Sequence, residues 1–216
     1  CSNCLGKEII SSKLTIDEKQ KAAEYINSKT LAIIPRKQWA TTSKTKQTKI
    51  EFQNEIGICL SKYGDVGYGE IIKNCKTNKI DYPIEIVNRS VEVLKPLIKE
   101  HNIKYATYVP SLRNDMFAKF AKKVVAECGI KLIEPIKKVS NWQQKTMQNS
   151  SHQCYNALIS YEVNSALPKE PIILMDDMVD SKWTLTVCGY KLRENGCTAV
   201  YPFALTDSSQ KDDGDE

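Results

Sequence analysis

The chain has 216 residues, enough for one large or two small domains at roughly 150 residues each. Apolar residues make up 41 % and charged residues 26 %, a globular balance that excludes wholesale disorder, and nine Gly with eight Pro exclude collagen-like and low-complexity classes. Net charge is +5, from 31 basic and 26 acidic residues, and it is unevenly spread: 207–216 carry five acids and one lysine. Residues 25–50 hold Lys29, Arg36, Lys37, Lys44, Lys46 and Lys49 and no acid. Such a stretch suits an anionic partner, because Lys and Arg that neutralise phosphates release counterions. Composition alone favours the plainer account, a solvated surface loop. The apolar runs, such as 172–175, fall far short of the roughly 20 residues a membrane helix needs, so no membrane partner is expected. CSNCLGKEII, at the start, has no apolar stretch long enough for an export signal.

Thr15-Ile-Asp-Glu18 matches a capping box, and the following Ala22, Ala23 and Ile26 predict a helix over 16–28. Residues 41–48 are polar and basic and read as an exposed loop. Ile50, Phe52, Ile56, Ile58 and Leu60 approximate period two, and 63–69 are dense in Gly and Tyr, which predicts a small strand-rich unit with tight turns. Ile84, Val87, Val91, Leu94 and Ile98 step by three and four, predicting a helix over 83–100 that Pro96 kinks or restarts.

Strand and helix then alternate. A strand over 103–109 leads to a helix with Phe117, Phe120, Ala121, Val124 and Cys128 on one face and Gly129 just past its end. A second strand covers 131–136, and 139–165 are polar and mixed. The run 171–177 lacks alternation and ends in two acids, as a strand buried on both faces of a parallel sheet would. A helix from Thr184 to Gly196 follows. The last strand, 198–205, contains Pro202 and is therefore expected at a sheet edge or bend. This order predicts an α/β fold with right-handed crossovers.

Eight cysteines sit at 1, 4, 59, 75, 128, 154, 188 and 197. Only Cys1 and Cys4 form a CxxC, and most others lie inside apolar patterns, as buried thiols do in a reducing compartment. The chain therefore reads as intracellular and cytoplasmic.

Residues 172–186, IILMDDMVDSKWTLT, carry the most chemistry. A buried strand delivers Asp176 and Asp177, a tight loop follows, and a helix begins. Ligands of open α/β sheets bind at the carboxyl ends of strands, and a helix start there offers free N–H groups to a phosphate. Asp180, Ser181 and Thr184 supply short oxygens that can cap the helix or bind ligand hydroxyls. A core strand followed by an acidic cap explains the same residues equally well.

IILMDDMVDSKWT resembles the phosphoribosyl-pyrophosphate loop of type I phosphoribosyltransferases: an apolar strand, two acids, three residues, a hydroxyl residue, Gly, any residue, Thr. The resemblance implies that Asp176 and Asp177 hold ribose hydroxyls. It also implies that Asp180, Ser181, Lys182, Trp183 and Thr184 cradle a 5′-phosphate, with Mg²⁺ arriving on the ligand. Lys182 stands where Gly is usual, a position that favours positive φ. Tyr108-Val-Pro-Ser-Leu-Arg113 takes the place of the family's pyrophosphate loop, making Ser111 and Arg113 anion contacts, although a strand-to-helix turn is an equally simple account.

Val109-Pro-Ser-Leu-Arg113, then Gln144-Lys-Thr-Met-Gln-Asn-Ser150, Asn156, 176–186 and Leu192-Arg-Glu-Asn-Gly196 are similar, in that order, to the phosphoribosyltransferase-like domain appended to some bacterial RecQ-family DNA helicases, related in pattern to the competence protein ComF. CSNCLG resembles the end of the RecQ zinc-binding subdomain, and 35–39 with 63–69 resemble the connector between the two. The resemblance implies four parts: 1–30, the end of the zinc module and a linker helix; 31–80, a small strand-rich basic subdomain; 81–206, a phosphoribosyltransferase-like parallel sheet with flanking helices; and 207–216, an acidic, disordered tail. It makes Cys1 and Cys4 half of a zinc site completed in the longer protein. DNA and the helicase core of the same chain are the implied partners, in recombination and repair. Arg36, Lys37, Lys44, Lys46 and Lys49 would track phosphates and Trp39 would stack on bases. The sequence contains no GxxxxGK[ST] phosphate loop, so ATP hydrolysis is not expected of this segment.

Overall fold

The computed structural model describes residues 15–112, 114–139, 149–164 and 166–209. Helix α1 (Ile16–Ser28) opens with the expected capping box: the Glu18 N–H donates to Thr15 Oγ1 at 3.3 Å and the Thr15 N–H donates to Glu18 Oε2 at 2.8 Å. Strands β1 (Leu31–Ile33) and β2 (Gly57–Lys62) follow, then α2 (Tyr68–Asn78) and α3 (Ile84–Glu100). Helix α3 runs on through Pro96 rather than breaking. Pro96 lies on its exposed side, where water can replace the lost donor.

Next come β3 (Tyr105–Tyr108), α4 (Met116–Glu127), β4 (Lys131–Leu132) and β5 (Ile136–Lys138). Gly129 ends α4 at φ +69° as expected. The strand expected over 131–136 divides: β4 stays in the main sheet, while β5 pairs with β6 (Tyr161–Val163) in a separate antiparallel ribbon. Between β5 and β6 lies α5 (Ser150–Ser160), within the stretch expected to be merely polar and mixed. Then β7 (Pro171–Val179), α6 (Trp183–Glu194) and β8 (Ala199–Asp207) complete the chain of elements.

The main sheet runs β1-β2-β8-β7-β3-β4, parallel throughout except for β1. The protein thus has an α/β fold with a mostly parallel central sheet and flanking helices. Because β2 pairs with β8, the sheet crosses the boundary expected at residue 80; segment 31–80 is built into it rather than set apart. Strand β8 is also not at an edge, since it pairs with β2 on one side and β7 on the other. The Val200 carbonyl accepts the Glu55 N–H at 2.9 Å, so by alternation the absent N–H of Pro202 also faces β2. It falls where β2 is only beginning, at Gly57, so the one missing ladder bond lies at the start of the pairing.

Ile172, Ile173, Leu174 and Met175 have no exposed surface. Ile173 and Met175 pack with Phe203, Leu205 and residues of α2, α3 and α4. Ile172 and Leu174 pack with Leu185, Cys188 and Leu192 of α6 on the opposite face. Each such side chain contributes about 1.5–3 kcal/mol on burial, which is why this strand carries no polar residue until its end. The cysteines at 59, 75, 154, 188 and 197 are buried and unpaired in this core.

Gly57 lets β2 approach Pro202. A Cβ there would stand 2.4 Å from the Pro202 carbonyl oxygen and 2.7 Å from its Cβ. Gly57→Ala is expected to cost about 1–3 kcal/mol through overpacking against backbone. Urea denaturation would measure it, and an unchanged midpoint would contradict this packing.

Candidate functional site

Side chains of a strand alternate between faces, so the two acids that end the apolar run of β7 must part company. Asp176 continues the row of Ile172 and Leu174 and lines a cleft beneath α5 and α6. Asp177 continues the row of Ile173 and Met175 toward α2, where its Oδ2 accepts from Lys76 Nζ at 2.5 Å. The expectation that both acids serve one sugar is thereby corrected: Asp176 reaches the cleft and Asp177 is held behind the sheet. Asp176 is 9 % exposed, and the Asp177 N–H donates to its Oδ1 at 2.8 Å. Burial raises its pKa well above the ordinary carboxylate range, and the neighbouring Asp177 charge raises it further.

Past Asp176 the Val179 carbonyl accepts from the Ser208 N–H at 2.7 Å, which pins the start of the loop to the end of β8. Asp180 is exposed and Ser181 half-buried. Lys182 sits at φ +66°, ψ −6°, the left-handed conformation that the loop pattern reserves for glycine. Lysine adopts that backbone turn here, and Lys182 lines the cleft. Helix α6 begins one residue earlier than expected, and neither Asp180, Ser181 nor Thr184 caps it. The Thr186 N–H donates to the Lys182 carbonyl at 2.9 Å, closing the first helical turn. Trp183, Thr184 and Leu185, whose N–H groups precede it and have no acceptor within the helix, are lining residues of the cleft.

Two bracing contacts hold this turn. Arg36 Nε donates to the Ser181 carbonyl at 2.8 Å, and its guanidinium lies 4.3 Å over the Trp183 ring. The Trp183 side chain is 2 % exposed and gives Nε1–H to Ser150 Oγ at 2.9 Å, joining α6 to the start of α5. Trp183 therefore offers a ligand its backbone amide only. Trp39 stacks on Trp183 at 6.2 Å and meets Tyr190 edge-on at 5.1 Å. It is 9 % exposed, so the expectation that it stacks on nucleic-acid bases is corrected: its ring is packed against Trp183 and Tyr190 in the core. Arg36 is likewise turned inward on the loop rather than outward.

Lys37, Lys44, Lys46 and Lys49 are exposed. They ride on an excursion closed by paired backbone bonds, Trp39 N–H to Thr48 O and Ile50 N–H to Lys37 O, each 2.9 Å, with a turn from Thr42 to Thr45 at its tip.

The cleft encloses about 270 Å³ between the loop and α5. Gln153, Asn156 and Ser160 form its far wall, with Tyr161 beyond them. Gln153, Ser160 and Tyr161 were not among the predicted site residues. Their helical spacing was the available signal, hidden in a stretch without an apolar stripe. Ser111 is exposed beside a second cleft of about 290 Å³ that shares no lining residue with the first. Ser111 lies just past the end of β3, the strand beside β7, where the Val109 N–H donates to the Met175 carbonyl at 2.9 Å. Arg113, Gln144, Lys145, Cys1, Cys4 and most of the acidic tail lie outside the described residues. Asn149 caps α5, its Oδ1 accepting the His152 N–H at 3.0 Å.

A divalent cation shared by Asp176 and Asp177 is not served by carboxylates on opposite faces of a sheet, one of them already paired with Lys76. Among the described residues no group of three His, Cys, Asp or Glu side chains could hold a metal ion.

No protein-family model matches the chain. No curated protein matches it either. Solved structures do. A hypoxanthine phosphoribosyltransferase from Staphylococcus aureus aligns at 13 % identity and TM-score 0.39, covering 56 % of this chain and 62 % of its own. A hypoxanthine-guanine phosphoribosyltransferase from Bacillus anthracis gives 14 %, 0.42, 61 % and 75 %. A purine phosphoribosyltransferase from Pyrococcus horikoshii gives 13 %, 0.37, 57 % and 82 %. The neighbours are phosphoribosyltransferases. The chain spans less than two thirds of the Staphylococcus enzyme, and what the cleft binds has to be argued from its own geometry.

Because burial raises the folded-state pKa of Asp176, the native state holds that proton more tightly than the unfolded chain does. The stability it contributes is present at acid pH and lost as pH rises from about 3.9, the unfolded value, through the folded value. Asp176→Asn is thus expected to stabilise the protein at pH 7 by about 1–3 kcal/mol, the cost of a poorly satisfied buried polar group. The gain should fade below about pH 4. Urea denaturation between these limits checks it; equal stability of both proteins at pH 7 would refute it.

Proposed function

We propose that this α/β domain binds a 5′-phosphorylated ribose in the cleft at the end of β7. The observation that carries this reading is the left-handed turn at Lys182, which delivers the uncapped start of α6 to a cleft floored by Asp176. The phosphate would accept from the open N–H groups of 183–185 and from the Thr184 hydroxyl, with the Lys182 amine beside it. Asp176 would take a ribose hydroxyl, which donates to a carboxylate whose solvent is already stripped away. Sequence supports the same reading, because 172–184 resemble the phosphoribosyl-pyrophosphate loop of type I phosphoribosyltransferases, with Lys182 in place of the usual Gly. Isothermal calorimetry with ribose 5-phosphate should show binding that Thr184→Val weakens about tenfold, or about 1.4 kcal/mol. No heat at millimolar ligand would end the proposal.

The ordered resemblance of 1–6, 35–39, 63–69 and 109–196 to the C-terminal part of RecQ-type helicases supports a wider setting. The domain would belong to a longer DNA helicase of recombination and repair, docked on that protein's motor core, with zinc at Cys1 and Cys4. The exposed lysines of the 37–49 excursion favour a nucleic-acid contact there. Double-stranded DNA binding should weaken steeply with salt, and Lys44→Glu with Lys46→Glu should reduce the salt slope by about 0.9 per lysine removed. A slope that the double variant leaves untouched would take the excursion out of the interface.

A further inference from the structure

We infer that the cleft selects a ribose carrying a single phosphate, bound without a divalent cation, and rejects a 1-pyrophosphate. This rests on the reading above and narrows it. A pyrophosphate on C1 needs cations or a metal, and metal capture at a strand end needs carboxylates that converge. Here they diverge. Asp177 stands on the α2 face, its Oδ2 2.5 Å from Lys76 Nζ, and Asp176 alone floors the cleft. Recruiting Asp177 would break that pair and turn a strand residue through the sheet.

The charges in the cleft suit one phosphate. Among the described lining residues Lys182 is the single cation, beside the acids Asp176 and Asp180. The start of α6 adds about half a positive charge. Lysine and helix together supply at most about +1.5, before the acids Asp176 and Asp180 are subtracted, against about −1.5 to −2 on a single phosphate monoester near neutral pH. A second, more highly charged group would meet the acids instead. The wall opposite the loop is neutral. Gln153 and Asn156 lie on one side of α5 and bring amides to it, partners for sugar hydroxyls rather than for phosphate. At about 270 Å³ the cleft is also at the small end for ligand sites.

The shared ligand chemistry is a 5-phosphorylated ribose, free or within a nucleotide. Calorimetry in EDTA and again with excess Mg²⁺ would compare ribose 5-phosphate, adenosine 5′-monophosphate and 5-phosphoribosyl 1-pyrophosphate. Ribose 5-phosphate should bind in EDTA with an affinity that Mg²⁺ changes less than about twofold, and the pyrophosphate ester should bind no tighter under either condition. Lys182→Met and Asn156→Leu should each weaken ribose 5-phosphate about tenfold. The nucleotide arm separates a free sugar phosphate from a nucleotide ligand, either of which upholds the inference. A pyrophosphate ester binding tenfold tighter than ribose 5-phosphate once Mg²⁺ is present would overturn it while leaving the proposed function standing. Failure of all three ligands under both conditions would overturn the two together.

Discussion

The pleat of β7 is the constraint on which the site depends. A strand buried on both faces has no freedom to twist a side chain from one face to the other, because every neighbour above and below is packed core. The four apolar residues 172–175 fix that register, with no exposed surface among them. Asp176 and Asp177 inherit it. The first is delivered to the cleft between α5 and α6 and the second to Lys76 on α2, and no loop rearrangement past Val179 can alter this. The carboxyl end of a central strand thus serves two environments at once.

Around that fixed end the loop is shaped by contacts from distant sequence. Arg36 holds the Ser181 carbonyl, Ser150 takes the Trp183 indole N–H, and Asn54 Nδ2 donates to the Leu185 carbonyl at 2.9 Å. Close contact continues along α6, where a Cβ on Gly189 would stand 1.8 Å from Asn54 Oδ1. These contacts offset the cost of a lysine in the left-handed region, roughly 1–2 kcal/mol. They also explain why the segment before β2 carries so few apolar residues and is nonetheless well placed. Its arginine, tryptophan and asparagine are used as struts for the turn.

Much of this was legible in the sequence. The capping box at Thr15, the three-four spacing of 84–98 and the run 171–177 each report a local periodicity that tertiary packing then uses unchanged. Helix α2 was hidden because Gly64, Gly67 and Gly69 announce turns, and its apolar residues are too few to show a stripe. Helix α5 was hidden for the opposite reason: it faces a cleft, so polar residues stand where an apolar stripe would. Pro202 misled because an edge is the usual refuge for a strand proline, whereas here the partner strand simply starts late. The parting of the two acids was readable all along from period two, yet a motif seen as a unit conceals the alternation inside it. Trp39 shows the reverse limit, since nothing local distinguishes a ring stacked on Trp183 from one offered to a base.

The buried cysteines have a chemical consequence. Burial pushes the Cys59 thiol up to about 12, Cys197 up to about 11 and Cys188 upward as well. The thiolate is the nucleophile in disulfide exchange and alkylation, so at neutral pH these sulfurs are almost wholly in the unreactive protonated form. Electrophiles and oxidants must wait for local opening of the core before they can react. Alkylation rates at these positions are therefore a clock for such openings, ticking separately in β2, in α6 and at the entrance to β8.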